Sequence, residues 1–318
     1  MRVAAVDLGT NSTRLLVADV EDGRVREVER RRAITRLGED VDARRKLLPT
    51  AIARVRNVLA DYRRAAEGHG AERTLTLATS AVRDADNGEA FLGEIEWSYG
   101  FATRLLSGEE EAAMTFRGVA AGREVADGTL VVDVGGGSTE LVLGGRDGVS
   151  WRASLDIGCV RLTERFLAGD PPSADELAAC RGAVRALLAE RVPDDVPPSA
   201  AIGVAGTVTT LATLHLGLPE EEPERLHGHR VPAAWVEEEL ARLASATVAE
   251  LRARPGIHPD RAPVMVAGAV VVADVLGHFG LAELEVSEQD ILHAGALAAA
   301  ELPAPDEDGV PPGAYTCC

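Results

Sequence analysis

Asp7, Gly9, Ser12, Thr13 and Leu15 recur as Asp133, Gly135, Ser138, Thr139 and Leu141, every pair 126 positions apart. In V-D-L-G-T-N-S-T-R-L-L-V (6–17) and again in V-D-V-G-G-G-S-T-E-L-V-L (132–143), an apolar run ends in Asp, small residues follow, and a second apolar run begins. Each copy predicts a β-hairpin whose tight turn offers backbone N–H groups and hydroxyls to an anion. A single copy is ordinary turn chemistry, because Asp and Gly fill hairpin turns for local reasons. Two copies in matching contexts point to two related lobes that hold a phosphate chain between them. The candidate contacts are Gly9, Thr10, Asn11 and Ser12 in the first turn. In the second they are Gly135, Gly136, Gly137 and Ser138, where three glycines let backbone approach a ligand closely.

Asp7, Asp133 and Glu140 lie in or beside these turns. Carboxylates repel phosphates unless a cation bridges them, and Mg²⁺ (or Mn²⁺) needs only a few protein oxygens besides phosphate. Asp133 and Glu140, flanking the second turn, are the expected metal ligands, although strand alternation would equally account for Glu140 as a solvated residue. Glu109-Glu110-Glu111 opens a helix. Acidic residues there suit the helix dipole, and one of the three could instead serve as general base for water; position alone does not choose. Arg83, just after a strand, is placed as a phosphate clamp or as one surface arginine among 32. Gly206 and Thr207 connect a strand to a helix whose N-terminal N–H groups could hold a third anion. His227-Gly228-His229 lacks a third ligand at metal spacing, and Cys159 lacks a paired base.

These residues need a scaffold. Strands are predicted at 3–7, 13–19 and 24–32, then a helix at 49–67 with Pro at its first turn, a strand at 74–78, a helix at 85–97, a strand at 103–106 and a helix at 109–121 N-capped by Ser107. The order restarts with strands at 130–134, 139–143 and 149–155, helices at 160–167 and 174–191, a strand at 201–205 and a helix at 207–216. A mostly helical region spans 232–280, broken at Arg254-Pro255-Gly256, followed by a strand at 284–287 and a helix at 290–302. The expected class is α/β: two ribonuclease-H-like lobes, 1–124 and 125–302, with an interlobe cleft. The last helix is expected to pack back on the first lobe, and the Pro- and acid-rich tail 303–318 to be disordered.

Composition narrows the function. The chain has 318 residues and a net charge of −18, the opposite balance to a nucleic-acid binder. No apolar run is expected to reach the roughly 20 residues of a membrane span, and no signal-peptide pattern opens the chain, so a cytoplasmic protein is expected. The four cysteines, including the terminal Cys317-Cys318, show neither zinc nor disulfide spacing. Lys46 is the sole lysine and no P-loop motif is present, which excludes P-loop phosphate binding.

Together these segments resemble the exopolyphosphatase / guanosine pentaphosphate phosphatase (Ppx/GppA) family of the actin–sugar kinase–Hsp70 fold. The resemblance rests on V-D-L-G-T-N-S-T-R-L, A-T-S-A-V-R-D-A-D-N, S-G-E-E-E-A, V-D-V-G-G-G-S-T-E-L, I-G-C-V-R-L-T-E-R-F, G-V-A-G-T-V-T-T-L and P-D-R-A-P-V-M-V-A-G-A. It is similar to the short form, without extra C-terminal helical domains. The resemblance implies Glu111 as catalytic base, a phosphate-binding role for Arg83, and metal-dependent hydrolysis of terminal phosphate from inorganic polyphosphate. The alternative substrate is pppGpp, cleaved in the same cleft; further alternatives are a kinase of the same superfamily and a non-catalytic polyphosphate or nucleotide sensor. A homodimer is the expected assembly. Many relatives carry an R-E-G-like segment where this chain has Leu292-His293-Ala294-Gly295, so no site is carried over there.

Overall fold

The structure is a computed structural model and describes residues 1–193 and 197–303. The tail from 304, with Cys317-Cys318, and residues 194–196 of the expected loop lie outside the described residues. The chain divides into two compact units, Met1–Arg123 with the C-terminal segment from Ile291, and Glu124–Asp290.

In the first unit the strands are β1 (Arg2–Leu8), β2 (Ser12–Glu21), β3 (Arg24–Ile34), β4 (Arg73–Ala78) and β5 (Ala102–Leu105). They form one sheet in the order β3-β2-β1-β4-β5. β1, β2 and β3 pair antiparallel, whereas β4 and β5 continue parallel to β1. Helices α1 (Val41–Arg44), α2 (Pro49–Gly68), α3 (Ser80–Arg83), α4 (Gly88–Tyr99) and α5 (Gly108–Ala120) connect them. Side chains alternate across a strand, and both faces of β1 are covered. Ala4, Val6 and Leu8 join the core under α2 and α4, while Val3 and Ala5 face Met114 of α5 and Leu292 and Ala296 of the last helix, α13 (Ile291–Glu301). The small residues of α13 have a reason: a Cβ on Gly295 would lie 3.0 Å from Ala5 Cβ and 3.1 Å from Leu77 Cδ1.

The second unit repeats the plan. Its strands are β6 (Thr129–Val134), β7 (Thr139–Gly145), β8 (Gly148–Leu155), β9 (Ala200–Val204), β10 (Arg230–Pro232) and β11 (Glu283–Val286), in the order β10-β11-β9-β6-β7-β8. Read from β8, this is the order of the first sheet with β10 added at the edge. Its helices are α6 (Cys159–Phe166), α7 (Ala174–Arg191), α8 (Ala205–His215), α9 (Pro223–Leu226), α10 (Ala233–Ala244), α11 (Val248–Ala253) and α12 (Met265–Phe279). Leu15 and its repeat Leu141 are both fully buried, each contributing about 1.5–3 kcal/mol by leaving water.

The region 232–280 is mostly helical, as expected, holding α10, α11 and α12, with β10 ending at its first residue. One expectation is corrected, that no run is long and apolar enough for a membrane: 262–279 has a mean hydropathy of 1.8 over 18 residues. That segment is 78% buried, as a helix apolar on all sides is inside a large core.

Candidate active site

The two turns close alike. Gly9 N–H donates to Ser12 O at 3.0 Å, and Gly135 N–H to Ser138 O at 3.0 Å. The repeated threonines do the same work as each other: Thr13 Oγ1 meets Thr35 Oγ1 at 2.9 Å, and Thr139 Oγ1 donates to Ile157 O at 2.8 Å. Each ties its turn to the segment that follows the third strand.

That segment sets what the turn offers. Beside the second turn, Gly135 O accepts from Cys159 N (2.9 Å), Gly136 O from Val160 N (2.8 Å) and Arg161 N (3.2 Å), and Gly137 O from Gly158 N (3.3 Å). Arg161, a buried arginine, adds Nε to Gly137 O at 2.7 Å. Three successive carbonyls are thus drawn to the start of α6. Across a planar trans peptide the N–H points opposite to the C=O. The N–H groups of Gly136, Gly137 and Ser138 therefore face away from α6, side by side, as an anion-binding concavity does. The N–H groups opening α6 are spent on holding the turn. Gly158 lets this happen, since a Cβ there would lie 2.3 Å from Gly136 C and O.

The first turn is held the same way by different residues. Thr10 O accepts from Gly38 N at 2.9 Å, and Asn11 O from Thr35 N at 3.1 Å and Arg36 N at 2.9 Å. The N–H groups of Asn11 and Ser12 are turned from that segment. Thr10 itself is buried, its Cγ2 2.2 Å from where a Gly38 Cβ would be.

The carboxylates differ between the copies. Asp7 and Arg14 are cross-strand partners in the β1–β2 register, and Asp133 and Glu140 are partners in the β6–β7 register. Arg14 donates from Nε to Asp7 Oδ2 at 2.9 Å, with Nη2 at 2.8 Å from the same oxygen. Asp133 faces a second carboxylate instead, and both are buried, Glu140 to 1% exposure. Glu140 Oε1 accepts from Ser154 Oγ at 2.7 Å, so Glu140 is not the solvated strand residue that alternation allowed. Like charges directly opposite on a sheet are unfavourable. A divalent cation would resolve this, and two carboxylates are oxygen donors of the kind a hard divalent cation takes. Among the described residues no group of three or more His, Cys, Asp or Glu side chains forms a fuller metal cage.

The three consecutive glutamates of α5 have three different surroundings. Glu109 is exposed. Glu110 completes a capping box, accepting from Ser107 N at 2.9 Å while Ser107 Oγ accepts from its own N–H. The Ser107 backbone, then Arg104, hold its carboxyl down at about 2. Glu111 is buried, and Arg83 Nη1 donates to its Oε2 at 3.0 Å and to Leu106 O at 2.8 Å. Arg83 ends the short α3 rather than standing in a loop, because Thr79 O accepts its N–H at 3.0 Å. The first turn, α3 and α5 follow the carboxyl ends of the parallel strands β1, β4 and β5, the edge where open α/β sheets bind ligands. In the second unit the 135–138 turn and Gly206 stand at the same ends of β6 and β9.

Gly206 and Thr207 are not a bare helix end. Ala205 before them takes φ 67°, a left-handed conformation, at the strand-to-helix corner. The guanidinium of Arg261, itself buried, lies over Gly206, with Nη1 and Nη2 1.6 Å from where a Cβ would be. Thr207 turns its side chain inward: a Cβ on Gly268 of α12 would come 2.7 Å from its Oγ1, and it hydrogen-bonds the Cys159 thiol, which burial pushes up. Sequence reasoning does not single out Arg161 and Arg261, which support the 135–138 turn and Gly206; both stand inside quoted motifs, but their partners are remote in sequence.

A sequence profile described as the Ppx/GppA phosphatase family matches residues 16–295. Exopolyphosphatase 2 of Mycobacterium tuberculosis is 42% identical over 317 residues, covering 94% of this chain and 98% of that protein. Among solved structures, an exopolyphosphatase-like protein superposes with a TM-score of 0.89 at 33% identity, covering 95% of this chain and 100% of that one. The Aquifex aeolicus member of the Ppx/GppA family does so with a TM-score of 0.79 at 30% identity, over 95% of this chain and 97% of that one.

Proposed function

The chain belongs to the Ppx/GppA phosphatase family, and on that premise we propose that it is an exopolyphosphatase, a hydrolase that removes the terminal phosphate of inorganic polyphosphate. The similarity to Exopolyphosphatase 2 over nearly the whole of both chains carries the substrate; pppGpp is not favoured. The enzyme class, hydrolysis of a phosphoric anhydride, follows from the same relatives. The family is generally dependent on a divalent metal, and Mg²⁺ is the ion that the donor chemistry of Asp133 and Glu140 favours here.

Phosphoryl transfer needs little covalent help and much positioning and charge stabilisation. The outward N–H groups of Gly136, Gly137 and Ser138 bind non-bridging phosphate oxygens, and those of Asn11 and Ser12 bind others; Gly9 and Gly135 close the two turns. Glu111 orients the attacking water and accepts its proton as oxygen bonds to the terminal phosphorus. The bridging P–O bond then breaks and its electron pair leaves on the shortened chain. Arg83 aims the Glu111 carboxylate and offers its remaining donors to phosphate. The metal, when bound by Asp133 and Glu140, supplies charge neutralisation on phosphate oxygens. Gly206 contributes close backbone approach beside Arg261, and Thr207 supports that corner from within the core. A homodimer is retained as the proposed assembly.

The ion pair of buried Glu111 with half-buried Arg83 beside the first turn is the observation that carries the mechanism. Phosphate release by the purified chain from polyphosphate of defined length, against pppGpp and with and without Mg²⁺, tests the reading. Faster release from pppGpp, or release independent of divalent ions, would overturn it.

A further inference from the structure

Position 14 answers position 140 across the internal repeat, and the two carry opposite charge. Arg14 and Glu140 occupy the same place in equivalent hairpins, each opposite the Asp that precedes the turn. At the first turn that Asp is ion-paired within the chain, Asp7 Oδ2 lying 2.9 and 2.8 Å from Arg14 Nε and Nη2. At the second, two buried carboxylates stand opposite each other. Both Asp7 and Asp133 are nine-tenths or more buried, and an uncompensated charge there is costly.

We propose that Arg14 is a built-in cation that does at the first turn what a divalent ion does at the second. It keeps the Asp7 carboxylate compensated, so the adjacent N–H groups of Asn11 and Ser12 can donate to phosphate without a second metal. The inference rests on Asp133 and Glu140 being the metal pair. Its consequence is an asymmetry of stoichiometry: one divalent ion per chain, although the turn is present twice. Exchanging the charge at position 14 or at position 140 then converts one kind of turn into the other. Arg14 is a positioning residue in this scheme, because it acts on phosphate through Asp7 and the turn.

Mn²⁺ stoichiometry on the full chain tests this without reference to turnover. Wild type should bind one Mn²⁺, and Asp133→Asn should bind none. Arg14→Glu, which rebuilds the Asp-Glu pair at the first turn, should bind two, and Arg14→Glu with Asp133→Asn should bind one. Arg14→Lys should remain at one. If Arg14→Glu folds only when Mn²⁺ is supplied, that also supports the proposal. The reciprocal variant Glu140→Arg, whose folding risk is separate, should bind no Mn²⁺ and melt at a temperature insensitive to it. A folded Arg14→Glu that gains no ion, or a Glu140→Arg that keeps one, overturns the proposal while the Asp133 metal reading stands. A wild type that binds none, or an Asp133→Asn variant that keeps its ion, overturns both.

Discussion

Gly158 lies against the peptide of Gly136 so closely that a β-carbon on Gly158 would stand 2.3 Å from the carbonyl carbon and oxygen of Gly136. The side of the second turn proposed to meet phosphate is thereby set by a residue on its opposite side. Gly158→Ala must push the turn off α6 or leave its carbonyls unpaired, an overpacking cost of about 1–3 kcal/mol. The expected outcome is a raised KM for polyphosphate of roughly tenfold or more, with Gly182→Ala as control because nothing lies within 4 Å of a Cβ there. Equal KM values in steady-state kinetics would contradict the role given to Gly158.

The facing carboxylates of Asp133 and Glu140 predict that divalent ions stabilise the fold. At Mg²⁺ a hundredfold above its dissociation constant the gain is about 2.7 kcal/mol, visible as a rise in melting temperature that EDTA reverses. Asp133→Asn and Glu140→Gln should each abolish the rise and raise the metal-free stability, since either removes one of two like charges. Thermal melts with and without Mg²⁺ check both signs.

Ser107 and Glu110 start α5 and so set where Glu111 sits. Ser107→Ala should cost about 1 kcal/mol in a denaturant melt. Glu110 has an ordinary value of 4.5, lowered to about 2 in the folded chain. Its contribution is present above about pH 4.5 and is lost as pH falls through about 2. Glu110→Gln should therefore flatten the acid limb of the stability curve between those values, and an unchanged limb would speak against the cap.

Much of this arrangement was legible because it is local. Both hairpins announce themselves by Asp, Gly, Ser and Thr at fixed offsets, and β1 and β2 by unbroken apolar runs that meet apolar cover on both faces. The capping serine stands beside the helix it caps. What stayed hidden depends on residues distant in the chain. Nothing near Gly136 says that Val160 and Arg161 hold its carbonyl, and nothing near Gly206 says that Arg261 covers it. Thr207 reads as an exposed helix start until α12 is packed beside it, and α12 itself shows no period because every side is buried. In the sequence Arg14 is one letter of a motif; its difference from Glu140 acquires meaning once the strand register makes each the partner of an Asp.

Arg83 shares one nitrogen between Leu106 O and Glu111. Arg83→Lys keeps a charge but loses the planar fork, so the carboxylate should be less well aimed and kcat should fall more than KM rises. A rise in KM alone, in kinetics across polyphosphate concentration, would make Arg83 a substrate clamp and nothing more.

Glu111 as general base is the claim on which the mechanism turns, and single-turnover phosphate release by Glu111→Gln in Mg²⁺ measures it most directly. The expected result is a folded variant that still binds polyphosphate but releases phosphate about 10²–10⁴-fold more slowly than wild type. Release within a few-fold of wild type would contradict it.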